Sequence, residues 1–172
     1  IYFDELHKLI RDVIKLQKGS DLSIDNAIQK IDALDDQFRA KKFKLIYIPI
    51  FEAYQEILKE KDELDFEDMI NSATKILNEE GLESKHSSSF ESFAWVLIDE
   101  FQDISYCRAK FLTALRDNGY FGGAKIFAVG DDWQSIYAFA GSDLSQLHDF
   151  HDNFYLANTV FYIDKNGTSE KV

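Results

Sequence analysis

Residues 95–105, WVLIDEFQDIS, set an apolar run directly against a cluster of acidic side chains. Burying a carboxylate is strongly unfavourable unless a cation or hydrogen-bond donors compensate for the lost water. We therefore expect Asp99, Glu100 and Asp103 to lie at the carboxyl end of a strand, where they can face a cation or a reaction.

A second apolar run, KIFAVGD at 125–131, also ends in acids. Continuous apolar runs with β-branched residues are typical of strands buried on both faces of a parallel sheet. The residues between the two runs, 105–118, have the spacing of an amphipathic helix, so the three segments predict a βαβ unit. Parallel strands end at one edge of their sheet, where open α/β sheets bind ligands. Two acidic pairs are expected there: Asp99 with Glu100, and Asp131 with Asp132.

The part of the chain before residue 80 has the three-four spacing of apolar residues that predicts helices. Four helices are predicted, over 2–17, 24–38, about 45–60 and 65–80. Ser23 and Asp65 are expected as N-caps, and Pro49 is expected in the first turn of the third helix or at a kink. The fourth helix is expected to bury one stripe, made of Phe66, Met69, Ile70, Ala73, Ile76 and Leu77.

A chain of 172 residues that is 45% hydrophobic and has one proline has the composition of a packed, helix-rich protein. Its single cysteine, Cys107, can form no internal disulfide and lies in no zinc-binding spacing, so we expect a small core residue. No apolar stretch in these residues approaches the roughly 20 needed to cross a bilayer, which favours a soluble, cytoplasmic protein.

The net charge of −12 at pH 7 argues against a broad surface for polyanions. Nonspecific affinity for nucleic acid comes from lysine and arginine side chains that neutralise phosphates. Any contact with nucleic acid must then be local. Either the protein has no role with nucleic acids, or it belongs to a machine whose basic surfaces lie elsewhere.

The acids have the chemistry of a magnesium-dependent phosphoryl-transfer site, and the apolar run before them has the Walker B form. Mg²⁺ prefers hard oxygen ligands, usually one or two carboxylates completed by water and phosphate oxygens, and Asp99 is the natural ligand. Glu100 can orient and deprotonate a water that attacks phosphorus. Gln102, Asp103 and Gln134 can hold a nucleotide or switching elements in register.

The same acids allow a different reaction. Asp99, Asp103 and Asp131 could form the metal cluster of a magnesium-dependent nuclease or phosphatase. Such an enzyme would cleave its substrate without ATP.

Three stretches, in order along the chain, resemble motifs of one helicase family. VLIDEFQD and AVGDDWQSIYAFAGSD resemble motifs II and III of superfamily 1 DNA helicases of the UvrD/Rep type. LDFEDMI, at 64–70, resembles the acidic and aromatic motif that precedes motif II, and the form GDDWQ is most similar to the helicase IV branch. The resemblance covers residues 62–150. It implies a helix-rich α/β fold, in which a helical subdomain precedes an incomplete parallel RecA-like (P-loop NTPase) sheet.

The resemblance implies an ATP-dependent 3′ to 5′ DNA helicase or translocase, with a role for each matching residue. Asp99 would hold Mg²⁺ beside the phosphates of ATP, Glu100 would activate the hydrolytic water, and Gln134 would contact the γ-phosphate. Other polar residues would bind nucleotide or couple the motor: Gln102, Asp103, Asp131 and Asp132. Aromatic residues would contact single-stranded DNA by stacking, which tolerates any sequence: Tyr137, Phe139 and Phe66.

The resemblance also implies a division of the chain into three parts. Residues 1–60 would be a helical subdomain, part of the family's inserted 1B region. Residues 61–150 would be the C-terminal part of the RecA-like ATPase domain 1A, and residues 151–172 the start of a truncated second domain or a tail.

The chain departs from the family pattern in two respects. Ala138 and Ala140 stand where the family often has arginine, and no GxxxxGK[ST] loop, which cradles nucleotide phosphates, occurs in the 172 residues. We therefore interpret the chain as an internal piece of a helicase that is inactive alone. A noncatalytic remnant or interaction protein is the alternative. The incomplete sheet would have an open edge, which favours a homodimer.

Overall fold

The computed structural model describes residues 2–80, 93–118, 124–134, 143, 145–154, 161–163 and 169–171. The α-helices in these ranges are α1 (Tyr2–Gly19), α2 (Ile24–Asp32), α3 (Gln37–Glu60), α4 (Phe66–Glu80), α5 (Tyr106–Asp117), α6 (Ser145–His148) and α7 (Phe150–Phe154). The strands are β1 (Trp95–Ile98), β2 (Lys125–Ala128), β3 (Phe161–Ile163) and β4 (Ser169–Lys171). Short 3-10 turns follow β1 at Phe101–Asp103 and β2 at Asp132–Gln134. The predicted helix-rich α/β fold is confirmed.

Two N-terminal helices begin at the predicted capping residues. Ser23 Oγ accepts a hydrogen bond from the backbone N–H of Asn26 at 3.2 Å. Asp65 Oδ1 accepts one from the N–H of Asp68 at 2.8 Å. Both bonds satisfy a backbone donor that the first turn of a helix leaves unpaired, which confirms the predicted starts of α2 and α4.

The boundary between the second and third helices lies at a different place from the predicted one. α2 ends at Asp32, and α3 already begins at Gln37. The reason is Asp36, whose carboxylate accepts a hydrogen bond from the N–H of Arg39 at 3.0 Å and so caps a new helix. Apolar spacing extends the predicted second helix to Phe38, but that side chain is exposed on α3.

Pro49 does not lie in the first turn of its helix, because α3 begins at Gln37 and not near residue 45 as predicted, so the proline is in the helix interior. A proline in a helix interior removes a backbone hydrogen bond and costs about 3 kcal/mol. The turn that precedes Pro49 is held by tertiary contacts of Tyr47. Tyr47 is fully buried, its ring stacks on that of Phe43 with the centroids 5.3 Å apart, and its hydroxyl donates to Gln17 Oε1 of α1 at 2.5 Å.

The buried face of α4 is rotated by about one residue from the predicted stripe. Three members of that stripe are exposed: Phe66, Met69 and Ile76. The face turned away from solvent contains Glu67, Ile70, Thr74 and Leu77, at three-four-three spacing. The Thr74 hydroxyl tolerates burial because it donates to the Ile70 carbonyl at 2.8 Å. The helix packs against α5 and α1.

The central unit is the predicted parallel βαβ arrangement, in which α5 connects β1 to β2. Trp95 pairs with Lys125, and Ile98 at the end of β1 pairs with Ala128 at the end of β2. The two strands therefore end level with each other. Cys107 on α5 is a free, fully buried thiol, as expected of a small core residue.

The two faces of this sheet differ, although both were predicted to be buried. One face contributes side chains to the main apolar cluster: Val96, Ile98, Ile126 and Ala128. That cluster includes Leu112 of α5 and Phe101 of the turn after β1. On the other face Trp95, Leu97 and Phe127 are all more than half exposed. Within the described residues, α5 and the short C-terminal helices cover only one side of the strands.

The short helices α6 and α7 pack on the turn that follows β1. The Phe101 ring meets those of Phe150 and Phe154 edge-on, at centroid distances of 5.2 and 5.8 Å. The backbone N–H of Asp143 donates to the Ile104 carbonyl at 2.9 Å. Further along the chain, β3 and β4 form a separate antiparallel pair. None of the helices in the described ranges is both long enough and apolar enough to cross a membrane.

Candidate active site at the carboxyl edge of the sheet

The carboxyl ends of β1 and β2 are joined by backbone hydrogen bonds that continue past the strands. The N–H of Val129 donates to the Ile98 carbonyl at 2.9 Å, and the N–H of Phe101 donates to the Val129 carbonyl at 2.8 Å. Asp99 and Asp131 follow these paired ends, so they lie at the same edge of the sheet. This is the placement predicted from the two acid-terminated runs.

Glu100 has an unusual backbone conformation at this edge. Its φ is 52°, in the left-handed region that side chains other than glycine rarely occupy. Its N–H donates to Asp99 Oδ1 at 2.9 Å, which helps to hold the turn. Backbone strain of this kind costs about 1 to 3 kcal/mol and is concentrated at functional sites.

Gln102 connects the two strand ends through its side chain. It is 1% exposed. Its Nε2 donates to Glu100 Oε2 at 2.6 Å, and its Oε1 accepts from the backbone N–H of Asp131 at 3.0 Å. Both ends of the amide are therefore bonded, as a buried polar group requires.

Gly130 allows this contact because it has no side chain. A Cβ atom at this position would lie 2.7 Å from Gln102 Oε1 and 3.2 Å from the backbone nitrogen of Phe101. Real Cβ atoms essentially never approach other atoms as closely as the first distance. No local pattern distinguishes Gly130, since a glycine after a strand is common and the contact is with a residue far away in the chain.

Asp131 organises the turn that follows β2. Its Oδ1 accepts from the N–H of Trp133 at 3.1 Å, and its Oδ2 accepts from Gln134 Nε2 at 2.9 Å. Gln134 is thereby held at the same edge as Glu100. The side chain of Asp132 lies outside the part of the chain that the structure describes, as do the predicted DNA-contacting residues Tyr137 and Phe139.

A cavity of about 410 Å³ opens beside the acids. Asp99, Glu100 and Asp103 line it together with Arg108, and the remaining walls are apolar: Ile70, Ile98, Phe101, Ile104, Phe111 and Leu112. Asp103 Oδ1 is buried and has no hydrogen-bond partner within the described part of the chain. One buried acceptor oxygen of the site thus lacks a donor among the described residues.

Arg108 is a lining residue that sequence reasoning missed. Its Nη1 donates to Ser105 Oγ at 3.1 Å, and its Nη2 lies 4.0 Å from Glu67 Oε1 of α4. A single arginine in the first turn of an amphipathic helix gives no pattern that distinguishes it from a solvated charge. Only the packing of α4 on α5 reveals its position beside the acids.

The donor set matches magnesium bound through few protein ligands. In the ranges that the structure covers, no three His, Cys, Asp or Glu residues are grouped so that they could hold a metal ion. This counts against a cluster of Asp99, Asp103 and Asp131. One strand-end carboxylate beside an open cavity fits Mg²⁺, which usually keeps several waters and binds substrate phosphates.

Phe66 lies on α4 and not at the sheet edge. Its side chain is 72% exposed, one turn before Ile70, which lines the cavity beside Asp99. The structure therefore places an accessible aromatic ring on a helix that reaches the acidic site. The apolar pattern of α4 predicted that the Phe66 ring would be buried, and this prediction is wrong.

The start of α4 is held by a partly buried charge cluster. Lys18 of α1 is 7% exposed, and its Nζ lies 2.5 Å from Asp65 Oδ2 and 2.6 Å from Asp68 Oδ2. Tyr54 of α3 donates to Asp65 Oδ2 at 2.9 Å. These bonds connect three helices at the residues on either side of Phe66.

The pKa values of this cluster follow from burial and pairing. Burial raises the pKa of Asp65, but hydrogen bonds from Lys18, the Asp68 N–H and Tyr54 outweigh burial and hold that pKa below its ordinary value. Burial, the hydrogen bond to Asp65 and the nearby carboxylates raise the pKa of the Tyr54 hydroxyl to about 12. The Asp65 carboxylate is therefore stabilised in its charged form.

The fold and this edge define an α/β protein with an acidic site at the carboxyl ends of parallel strands. The family model of the UvrD/REP helicase N-terminal domain matches residues 4–155. The chain belongs to this family, which confirms the resemblance seen in its motifs.

Individual relatives agree with the family. The chain is 40% identical over 115 residues to DNA helicase IV of Escherichia coli strain K12, a match that covers 67% of this chain and 15% of that protein. It is 33% identical over 129 residues to the putative ATP-dependent DNA helicase YjcD of Bacillus subtilis strain 168, a match that covers 74% of this chain and 15% of that protein. The chain thus spans about 15% of the length of these two relatives.

Proposed function

We propose that this chain is part of the ATP-hydrolysing core of a DNA helicase that moves 3′ to 5′ along single-stranded DNA. The observation that carries the proposal is the edge where Asp99 and Glu100 lie beside the turn that holds Gln134. Membership in the UvrD/REP family and relatives named as DNA helicases support it. The direction of movement comes from the resemblance alone.

In this function the two strand-end acids, Asp99 and Glu100, would have different roles in phosphoryl transfer. Asp99 would hold Mg²⁺, which when bound neutralises charge on the phosphates of ATP. Glu100 would accept the proton of the attacking water, a task that requires its carboxylate to be held in a fixed direction. Asp103 and Arg108 would complete the polar lining on the side of the cavity that faces α4 and α5.

The turn after β2 would connect hydrolysis to DNA. Gln134, held by Asp131, would contact the γ-phosphate and so detect its loss. Tyr137, Phe139 and Phe66 would stack on bases, which contributes about 1 to 3 kcal/mol per base without a basic surface. Such contacts suit a chain with a net charge of −12.

ATP needs a phosphate-binding loop, and the GxxxxGK[ST] sequence of such a loop does not occur in these 172 residues. We propose that the phosphate loop and a second motor domain come from other parts of a longer protein. Residues 1–60 would then belong to its helical 1B region, 61–150 to domain 1A and 151–172 to the next domain or a tail. The chain alone would be inactive, would self-associate through its open sheet edge, and would act in the cytoplasm as part of the whole.

The test is a Glu100→Gln substitution in a protein that carries this chain together with the phosphate loop and second motor domain. We expect DNA-stimulated ATP hydrolysis in the wild type, and a loss of at least about a hundredfold in kcat in the variant, because the general base is gone. Phosphate release is the measurement. Glu79→Gln, on the exposed surface of α4, is the matched control and should retain wild-type turnover. Normal turnover in Glu100→Gln, or phosphate release by the isolated 172-residue chain, would contradict the assignment.

A further inference from the structure

The side chain of Gln102 links the general base to the neighbouring strand end, a connection that the proposed function does not itself require. Its amide bonds to Glu100 on one side and to the backbone of Asp131 on the other. We propose that Gln102 is a positioning residue, which sets the direction of the Glu100 carboxylate according to the position of the turn at residues 131–134. The inference rests on the proposed role of Glu100 in ATP hydrolysis.

The orientation of the Gln102 amide follows from its partners. Nε2 can only donate and meets a carboxylate oxygen, whereas Oε1 can only accept and meets a backbone N–H. A flipped amide would set oxygen against the Glu100 carboxylate and NH₂ against the Asp131 N–H. Both contacts would then be repulsive, so only one orientation fits.

The link is also tightly confined. Gln102 is almost fully buried, and the backbone of Gly130 passes so close that a Cβ atom there would overlap Gln102 Oε1. The Phe101 N–H is bonded to the Val129 carbonyl on the same side. The amide therefore cannot follow one partner without pulling on the other.

This confinement connects two events of the proposed cycle. Asp131 holds Gln134, the residue proposed to contact the γ-phosphate. A displacement of Asp131 would be transmitted through the Gln102 amide to the Glu100 carboxylate. Gln102 Nε2 lies 2.6 Å from Glu100 Oε2. Hydrolysis would then be fast only while the turn at residues 131–134 keeps its position beside Gln102.

Two variants separate the two ends of the amide. Gln102→Glu has the same shape and keeps an acceptor for the Asp131 N–H, but it replaces the donor with a second carboxylate beside Glu100. Gln102→Met removes both bonds. The matched control is Gln17→Glu, because Gln17 is also buried, at 4% exposed, and both ends of its amide are bonded, to the Leu22 carbonyl and the Tyr47 hydroxyl.

The first measurement is hydrogen exchange of the Asp131 backbone amide by NMR in the 172-residue chain. We expect protection in the wild type and in Gln102→Glu, and exchange at least about tenfold faster in Gln102→Met. The retained protection in Gln102→Glu also shows that this variant folds. An Asp131 amide that exchanges equally fast in all three proteins would overturn the inference.

The second measurement is DNA-stimulated ATP hydrolysis in the protein that includes the rest of the motor. Both Gln102 variants should lower kcat by about tenfold or more, because the general base is misdirected, and KM for ATP should change by less than about twofold. Gln17→Glu should leave both kcat and KM unchanged.

The outcomes distinguish the inference from the function on which it rests. Wild-type kcat in both Gln102 variants would overturn the inference and leave the proposed function standing. Absence of ATP hydrolysis in the wild type would overturn the proposed function and the inference with it. The exchange measurement tells these failures apart, since it reports the Gln102 contact without ATP.

Discussion

At the scale of single residues, the carboxyl edge depends on an amino acid that has no side chain. Gly130 lets the second strand end approach Gln102 closely enough for the Asp131 N–H to reach its Oε1 at 3.0 Å. Gly19, at the end of α1, is a useful contrast. A Cβ atom there would meet only Ser105 Cβ, at an ordinary van der Waals distance of 3.9 Å.

We predict that Gly130→Ala destabilises the chain by about 1 to 3 kcal/mol, because the new methyl group must displace a confined amide or the backbone behind it. Gly19→Ala should be neutral or stabilising by up to about 1 kcal/mol, because alanine favours a helix more than glycine does. Urea unfolding of both variants is the measurement. Equal stability of the two alanine variants would show that the close contact at Gly130 is absent.

At the scale of the elements, Lys18 connects α1 to the start of α4. Its ammonium contacts both Asp65 and Asp68, and its Nζ lies 5.1 Å from the centre of the Tyr54 ring of α3. These bonds cross the proposed boundary between residues 1–60 and 61–150. They hold the first turn of α4, and with it Phe66, in a fixed position relative to the N-terminal helices.

We predict that Lys18→Met destabilises the chain by about 2 to 3 kcal/mol at pH 7, because it leaves two partly buried carboxylates without their cation. Lys75→Met removes an exposed cation of α4 and should change stability by less than about 0.5 kcal/mol. Pairing lowers the pKa of Asp65 in the folded state. The Asp65 carboxylate therefore contributes fully to folding stability above its ordinary pKa of 3.8, and this contribution is lost as the pH falls through the lowered pKa. The difference between Lys18→Met and wild type should therefore shrink below about pH 4. Urea titrations at neutral and acidic pH measure it, and a difference that does not depend on pH would refute this account.

At the scale of the whole molecule, the described helices cover one face of the β1–β2 sheet and not the other. Parallel sheets normally bury both faces, because helices pack on each side. Here Leu97 is 75% exposed and lies beside the exposed Phe127, its partner in the strand register. Within the described residues the outer edges of β1 and β2 have no strand partner. An apolar surface next to such edges favours association with another chain or another part of the same protein.

We predict that the isolated chain forms dimers whose fraction rises with concentration, and that Leu97→Lys weakens this association. Leu45→Lys is the control, because Leu45 on α3 is also 75% exposed but lies away from the sheet. Light scattering across a range of concentrations is the measurement. A monomer at high concentration, or equal effects of the two lysine variants, would rule out association through the sheet.

Local patterns made much of the molecule predictable. Ser23 and Asp65 act as N-caps through bonds to residues three positions away, and the apolar runs at 95–98 and 125–128 form strands because periodicity and β-branching act over a few residues. The same locality explains the errors. The capping bond of Asp36 competes with the apolar spacing that joins Leu34 and Phe38 to α2, and spacing alone cannot decide between them.

Residue types and short-range spacing were enough to predict the helix-rich α/β class, the parallel βαβ unit and the placement of Asp99 and Asp131 at one edge of the sheet. Long-range packing was needed to establish which face of α4 is buried, that Lys18 pairs with Asp65, and that Gln102 joins Glu100 to Asp131 beside Gly130. The bonds of Lys18 to Asp65 and of Gln102 to Asp131 join residues far apart in the chain. Their existence depends on how elements pack to exclude water from apolar side chains while leaving each buried polar group a partner.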